Sequence, residues 1–281
     1  MVPKNYKLSL LVPAFLILLA VGVLASGFLQ NGEWFRRSID LRGGSLVTVS
    51  SESQIDIESA KTSLSELFGE VSIKQTRGLS GSGFIIQADS DVNTDDVLTA
   101  LSDMGIEIAD YSTQTIGPAL GESFWSQAQL AIIFAFIMMG IIVFVIFRAP
   151  VPSGAVILCA VSDILITLAA LQVFGIDLSL AGLAALLMLI GYSVDTDIML
   201  TTRMLKGTAE FRVRFKDALK TGITMSVTTA GALVALLLTG LSPVLSQIAM
   251  VLLIGILTDI CLTWMQNSTL LRWHMERKGL L

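Results

Sequence analysis

The stretch AGLAALLMLIGYSVDTDIML (181–200) decides how this chain must fold. Its first ten residues carry no charge, and two carboxylates, Asp195 and Asp197, follow within the same apolar run. About 20 helical residues cross a bilayer core of ~30 Å, whereas an ionised Asp at the centre costs roughly 2.5–3.5 kcal/mol. The stretch therefore predicts a membrane helix whose acids need protons, internal water or partners in a helix bundle.

The composition extends this prediction to the whole chain. Of 281 residues, 53% are hydrophobic and 15% are charged, with a mean hydropathy of +0.76. Soluble domains are about one quarter charged, so the chain is predicted to be a polytopic α-helical membrane protein. Six segments are apolar enough to span: approximately 8–28, 127–147, 151–174, 178–201, 222–240 and 244–266.

The long polar interval between the first two spans predicts a 1+5 layout. Residues 1–28 form the N-terminus and first helix, and residues 29–124 have the length of one small folded domain. Residues 125–268 form the other five helices, with a loop at 203–221, and residues 269–281 form a tail.

The basic residues predict the orientation. Twelve of the 18 Lys and Arg lie outside 29–124, and all twelve fall on one side of this layout. By the positive-inside rule both termini are cytoplasmic and the domain is extracytoplasmic, in a multi-pass protein of the plasma membrane. The domain holds 15 Asp and Glu against 6 Lys and Arg, which argues against nucleic acid as its partner.

The polar domain has the pattern of a ferredoxin-like α+β fold. Alternation predicts strands at 45–52, 71–77, 83–89 and 106–116, with amphipathic helices at 55–68 and 93–105, in the order βαββαβ. The domain has no His or Cys and no nucleophile–base pair. We expect a binding or coupling module without enzyme activity, metal or cofactor.

Four acids within the predicted spans are the candidate functional residues. They are Asp163, Asp195, Asp197 and Asp259, and no Lys or Arg lies mid-span to neutralise them. Intramembrane acids commonly mark ion pathways, so we predict a proton or ion route. The alternative for Asp259 and Asp197 is a buried hydrogen-bond anchor.

Helical spacing separates the two acids of the fourth span. Asp195 and Asp197 lie two residues apart, about 200° around a helix, so one faces the pathway and the other a neighbouring helix or subunit. Arg203 is either an interface anchor or an electrostatic partner for one of them. The last span carries a polar stripe of Asp259, Thr263, Gln266 and Asn267.

The basic segment from Arg203 to Lys220 has apolar residues interspersed among its charges. It predicts either an amphipathic helix lying at the lipid headgroups or a plain positive loop.

Three motifs in order give a family resemblance. SIDLRGGSLVTV (38–49) contains Asp40, Gly43 and Gly44; TIGPALGESF (115–124) contains Gly117 and Pro118; and the segment 161–203 contains Asp163 and Gly191-Tyr192-Ser193. Together they resemble the SecF family of protein-export membrane proteins, in its archaeal form, within the RND superfamily. Many bacterial members carry Asn-Asp where this chain has Asp195-Thr196-Asp197; Asp195 is our first choice for the family's ion-carrying acid.

The resemblance implies an accessory subunit that works with SecD beside a SecY-type translocon. Such a subunit uses an ion gradient, with the proton as the expected ion, to draw a translocating polypeptide outward. The domain 29–124 would touch that polypeptide or SecD, and the membrane acids would take up and release protons.

Two other functions share some of these features. Half of an RND-type exporter of small molecules or lipids would need a larger outer domain with a substrate cleft. An intramembrane aspartyl protease would need a paired GxGD element in a neighbouring span, and the sequence has none.

Overall fold

The computed structural model describes residues 6–51, 57–69, 71–78, 81–88, 92–104, 106, 110–207 and 210–279. After a 3₁₀ turn at Tyr6–Leu10, the elements in chain order are α1 (Leu11–Asn31), α2 (Ile39–Arg42), β1 (Gly44–Ser51), α3 (Ile57–Phe68), β2 (Ser72–Gly78), β3 (Gly81–Ala88), α4 (Thr94–Asp103), β4 (Asp110–Ile116), α5 (Pro118–Phe147), α6 (Pro150–Val173), α7 (Leu180–Lys206), α8 (Phe211–Thr239), α9 (Pro243–Leu262) and α10 (Ser268–Arg277). A π-helical turn at Thr263–Asn267 joins α9 to α10 without a break.

Six helices in the described residues are long and apolar enough to cross a membrane, as the hydropathy of the sequence predicts. They are α1, α5, α6, α7, α8 and the continuous helix from α9 through α10. More than half of the most apolar stretch of α6 and of α7 is buried, whereas α1, α5 and α8 leave most of theirs uncovered. The centre of the bundle is therefore built by α6, α7 and α9.

The centre is tight because small residues let the helices approach closely. A Cβ added to Gly255 on α9 would lie 2.3 Å from Leu189 Cδ2 on α7. Leu186, Leu189 and Ile256 are each at most 1% exposed. In a bilayer, packing of this kind holds helices together, because lipid is as apolar as the side chains and gives no hydrophobic drive.

The polar interval contains a four-stranded antiparallel sheet in the order β2-β3-β1-β4. Val47 of β1 is opposite Ile86 of β3 and Thr113 of β4. Side chains alternate across a strand, so Val47 and Val49 share one face, which is buried against Leu64 of α3 and Val97 and Leu101 of α4. Between β2 and β3, residues 79–80 lie outside the described residues.

Three boundaries differ from the sequence prediction by nine or more residues. The last span, predicted to end at 266, continues through the π turn to Arg277. Helix α5 begins at Pro118, ahead of the predicted 127, because Gly117 and Pro118 form a helix start that hydropathy does not detect. The segment 203–221, predicted as a loop or surface helix, is divided between the end of α7 and the start of α8.

The basic side chains of that segment explain the difference. Arg214 donates to the carbonyl oxygens of Met204 and Gly207, and Arg203 donates to the carbonyl oxygen of Asp217 at 2.8 Å. The Arg214 guanidinium thus occupies carbonyls where α7 ends, a favourable position for a cation. The acceptor of Arg203 lies within α8.

Candidate functional site

Three of the four membrane acids meet in the centre of the bundle. Asp163 comes from α6, Asp197 from α7 and Asp259 from α9, and their residues are 1%, 0% and 0% exposed. We call them the acid cluster. They are close because α6, α7 and α9 contact one another in the buried centre of the bundle.

Thr263 links two of these acids. Its Oγ1 lies 2.9 Å from Asp197 Oδ1 and 3.0 Å from Asp259 Oδ1. A threonine hydroxyl has one hydrogen, so it donates to one carboxylate at a time. The second carboxyl group forms a hydrogen bond with Thr263 only when it carries a proton and donates that proton to the Thr263 oxygen. The geometry therefore allows one proton to be shared between Asp197 and Asp259.

Neighbouring amides and hydroxyls orient the acids. Asn267 Nδ2 donates to Asp197 Oδ1 at 2.7 Å, and Ser193 Oγ donates to Asp163 Oδ2 at 2.5 Å. Gln266 Nε2 donates to Ser162 Oγ at 3.4 Å, which connects the π turn to α6. Hydroxyls and amides thus supply the polar contacts that Lys or Arg would supply elsewhere.

These donors leave several buried oxygens unpaired. One oxygen on each acid of the cluster has no hydrogen-bond partner, and the same holds for Asn267 Oδ1 and Gln266 Oε1. No ion pair in the described part of the chain involves these acids. An unpaired polar group in an apolar interior costs free energy. Protons on the carboxyls, or water within the bundle, would supply the donors that these oxygens need.

Among the described residues, no group of three or more His, Cys, Asp or Glu side chains is arranged to hold a metal ion. Cys159 of α6 is fully buried beside Asp197 of α7, whereas Cys261 is half-buried on α9.

The π turn brings Thr263, Gln266 and Asn267 to the cluster together. Such turns are rare and occur often at functional sites. On the other side of the turn, the Trp264 indole packs on Gly222 of α8, where an added Cβ would lie 2.3 Å from Trp264 Cζ2. The ring of Phe215 meets this indole edge-on at a centroid distance of 6.0 Å. The turn is thus held between the acids and α8.

Asp195 lies elsewhere. It is exposed on α7, while Ser193, Asp197 and Thr201 of the opposite stripe are fully buried. The predicted separation of Asp195 and Asp197 onto different faces agrees with these positions. The role of Asp195 as an ion carrier stays a prediction. Arg203 donates to Asp217 O and, at 2.9 Å, to Thr221 Oγ1.

The other motif residues fall in two places. Tyr192 donates its hydroxyl to Ser226 Oγ of α8 at 3.1 Å, and Gly191 is exposed next to it. Asp40, Gly43, Gly44, Gly117 and Pro118 lie where the sheet joins the helices, apart from the acid cluster.

The sequence stripe indicated the π-turn residues Thr263, Gln266 and Asn267. It did not indicate Ser162 or Cys159, which have no distinguishing spacing. A polar residue facing Gln266 from another helix could be found only from the packing.

Comparison with known proteins gives a consistent family. A family model described as protein export membrane protein SecD/SecF, C-terminal, matches residues 96–277. The SecF of Pyrococcus furiosus is 39% identical over 99% of this chain and 94% of its own length. The SecF of Methanothermobacter thermautotrophicus is 40% identical over 97% and 94%, respectively.

Solved structures support the fold. The crystal structure of SecDF, a translocon-associated membrane protein from Thermus thermophilus, superposes with a TM-score of 0.77 at 23% identity. The match covers 97% of this chain and 38% of that longer chain. A SecDF structure in a super-membrane-facing form matches with a TM-score of 0.57 at 22% identity.

Proposed function

The chain belongs to the SecD/SecF family of protein-export membrane proteins, and from that premise we propose that it is an accessory subunit of the Sec translocation machinery. It acts with SecD, beside a SecY-type translocon, to promote export of a polypeptide, and it performs no covalent chemistry. The observation that carries the mechanism is the acid cluster, in which one Thr263 hydrogen serves Asp197 and Asp259.

The driving force in this proposal is a proton gradient. A proton that crosses a potential of 100 mV releases about 2.3 kcal/mol. When the shared proton leaves the Asp197–Asp259 pair, both groups are carboxylates. Asp197 keeps Asn267 as a donor, and the single Thr263 hydrogen serves only one of the two acids. The loss of one proton therefore changes which contacts hold α7 to α9. An energy of this size biases a two-state movement more than tenfold.

The proposed arrangement in the membrane follows from the charges. Both termini lie in the cytoplasm, and the domain 29–124, with a ferredoxin-like layout, lies outside the plasma membrane in a 1+5 arrangement. The acidic balance of this domain suits contact with protein and argues against nucleic acid. Asp195 is exposed on a membrane helix, which suits contact with the SecD partner, where a polar group or water reaches it.

Substitution of the buried acids tests the proposal. Asp197→Asn and Asp259→Asn keep the side-chain volume but remove the titrating group. We expect each variant to assemble normally and to lose the part of export that depends on the gradient. The measurement is the export rate of a secretory precursor in cells that carry only the variant, with and without an uncoupler.

Two further variants sharpen this test. Asp103→Asn changes an exposed acid on α4 and is expected to export at the wild-type rate. Asp195→Asn distinguishes the exposed acid of α7 from the acid cluster. If this variant alone loses gradient dependence, the ion-carrying acid is Asp195. If Asp197→Asn and Asp259→Asn both export at the wild-type rate and stay sensitive to the uncoupler, the acid cluster is not the pathway.

A further inference from the structure

Both chain connections between the sheet and the helices pass through one small region. Residues 36–44 lead into β1, residues 117–121 lead from β4 into α5, and the turn 176–180 precedes α7. We call these three segments the junction. The family motif residues Asp40, Gly43, Gly44, Gly117 and Pro118 all belong to it, and the acid cluster contains none of them.

The two sheet connections are packed backbone to backbone. An added Cβ on Gly43 would lie 2.7 Å from Pro118 Cα, and one on Gly121 would lie 2.4 Å from Gly43 N. Gly43 also has φ +85, which side chains other than hydrogen rarely allow. Gly44 is paired with Ile116 across the sheet. The start of β1 and the start of α5 are therefore expected to move together.

Backbone hydrogen bonds tie the same segment to the turn before α7. Ser38 N donates to Leu178 O, and Leu178 N donates to Arg36 O, each at 2.9 Å. Asp40 Oδ2 accepts from Leu180 N at 3.4 Å, where α7 begins. Leu41 is 0% exposed and packs with Leu178 in the core of the bundle.

The turn is tied in addition to α9. Gln247 Nε2 donates to Asp177 O at 2.8 Å, and Ser179 Oγ donates to Gln247 Oε1 at 2.6 Å. The junction is thus hydrogen-bonded to the first turns of α7 and α9. These are the two helices that carry Asp197 and Asp259 at their far halves.

We infer that the junction transmits displacement of the sheet to the acid cluster. Asp197 lies 17 residues from Leu180 on an unbroken helix, about 25 Å at 1.5 Å per residue. A helix of this length moves as a rigid rod, so a shift at its first turn changes the Asp197–Asp259 contact through Thr263. The inference rests on packing and hydrogen bonds at the junction and holds whichever ion drives export.

The test compares Gly121 with a glycine outside the junction. Gly121→Ala places a methyl group against Gly43, whereas Gly231→Ala on α8 meets nothing within 4 Å. Hydrogen–deuterium exchange of the full chain in lipid nanodiscs measures how firmly the junction holds the turn before α7. We expect Gly121→Ala to increase exchange severalfold in 176–183, far from the substitution in sequence, and Gly231→Ala to match the wild type.

A native thiol reports transmission to the cluster. In a Cys261→Ser background, Cys159 is the remaining cysteine and is buried beside Asp197. We expect Gly121→Ala to raise its alkylation rate by N-ethylmaleimide severalfold over Gly231→Ala. Faster exchange in 176–183 with an unchanged Cys159 rate would overturn the inference, as would unchanged exchange.

Asp40→Asn provides a second variant if Gly121→Ala does not fold. It keeps the volume of the side chain but removes the charge at Leu180 N. The inference expects the same two effects at smaller size, and wild-type behaviour in both measurements would overturn it. Loss of export in Asp197→Asn is a separate result, so the proposed function and the junction can fail independently.

Discussion

Thr263 has one hydroxyl hydrogen and contacts two carboxyl groups, so it can donate to only one of them at a time. This lack of a second donor distinguishes the acid cluster from an ordinary set of buried hydrogen-bond anchors. Intramembrane hydrogen bonds contribute on average about 0.6 kcal/mol and at most about 1.7 kcal/mol. Stability alone is therefore a weak reason to keep three acids where no Lys or Arg in the described residues pairs with them. The proposed exchange of a proton between Asp197 and Asp259 would account for the arrangement.

Thr263→Val tests the shared proton. The substitution keeps the shape of the side chain and removes the group that contacts both carboxyl oxygens. We expect gradient-dependent export to fall at least tenfold, and thermal stability to fall by about 1–2 kcal/mol because a buried contact is lost. Export rates and thermal unfolding of the purified protein are the measurements.

Thr263→Ser is the matched control at the same position. Serine restores the hydroxyl and removes one methyl group, so it should recover most of the export rate. Equal export by the valine and serine variants would show that the hydroxyl is not part of the route and that Thr263 only packs.

At the scale of elements, the position of the π turn depends on its packing against α8. Trp264 packs on Gly222 of α8, and no side chain fits between them. Gly222→Ala should displace the indole and the turn, with a cost of about 1–3 kcal/mol from overpacking. We expect a lower unfolding temperature together with reduced gradient-dependent export, since Thr263 precedes Trp264 in the same turn.

Gly231→Ala, on the same helix, is the control for this prediction. An added Cβ there meets nothing within 4 Å, and alanine favours helix by ~1 kcal/mol over glycine. Its stability should equal or exceed that of the wild type. If both variants unfold at the same temperature, the Trp264 contact does not hold the turn.

The elements that sequence could predict are those with a local signal. Hydropathy gives the six apolar helices, and alternation gives the strands, because both patterns repeat within one segment. The short helix α2 and the π turn have too few residues for any period. Spacing placed Asp195 and Asp197 on different faces, but which face meets α6 and α9 depends on tertiary packing. The junction joins residues 40 and 180, which no local pattern connects.

On the scale of the whole molecule, uncovered surface indicates where partners and lipid lie. Helices α1, α5 and α8 expose large apolar side chains, including Phe15, Phe134 and Val227 at 64%, 57% and 60%. Lipid or other membrane helices must cover them, as expected for a multi-pass membrane protein. Exposed Asp195 on the bundle surface is the exception, because lipid does not solvate a carboxylate.

The proposed orientation makes a prediction that single cysteines can check. Ser102 is exposed at the end of α4, and Lys216 is exposed near the start of α8. In a background without Cys159 and Cys261, a membrane-impermeant maleimide should label Ser102→Cys in intact cells. It should label Lys216→Cys only after the membrane is opened, because the basic loops are held inside.

The same experiment decides between export and a purely cytoplasmic role for the sheet. A domain that meets the emerging polypeptide must lie on the side where Ser102→Cys is labelled first. Labelling in the reverse order would place the sheet, the junction and the first turns of α7 and α9 on the cytoplasmic side. The Asp197–Asp259 pair would then be coupled to events before translocation, and an outward pull on the exported chain would be impossible.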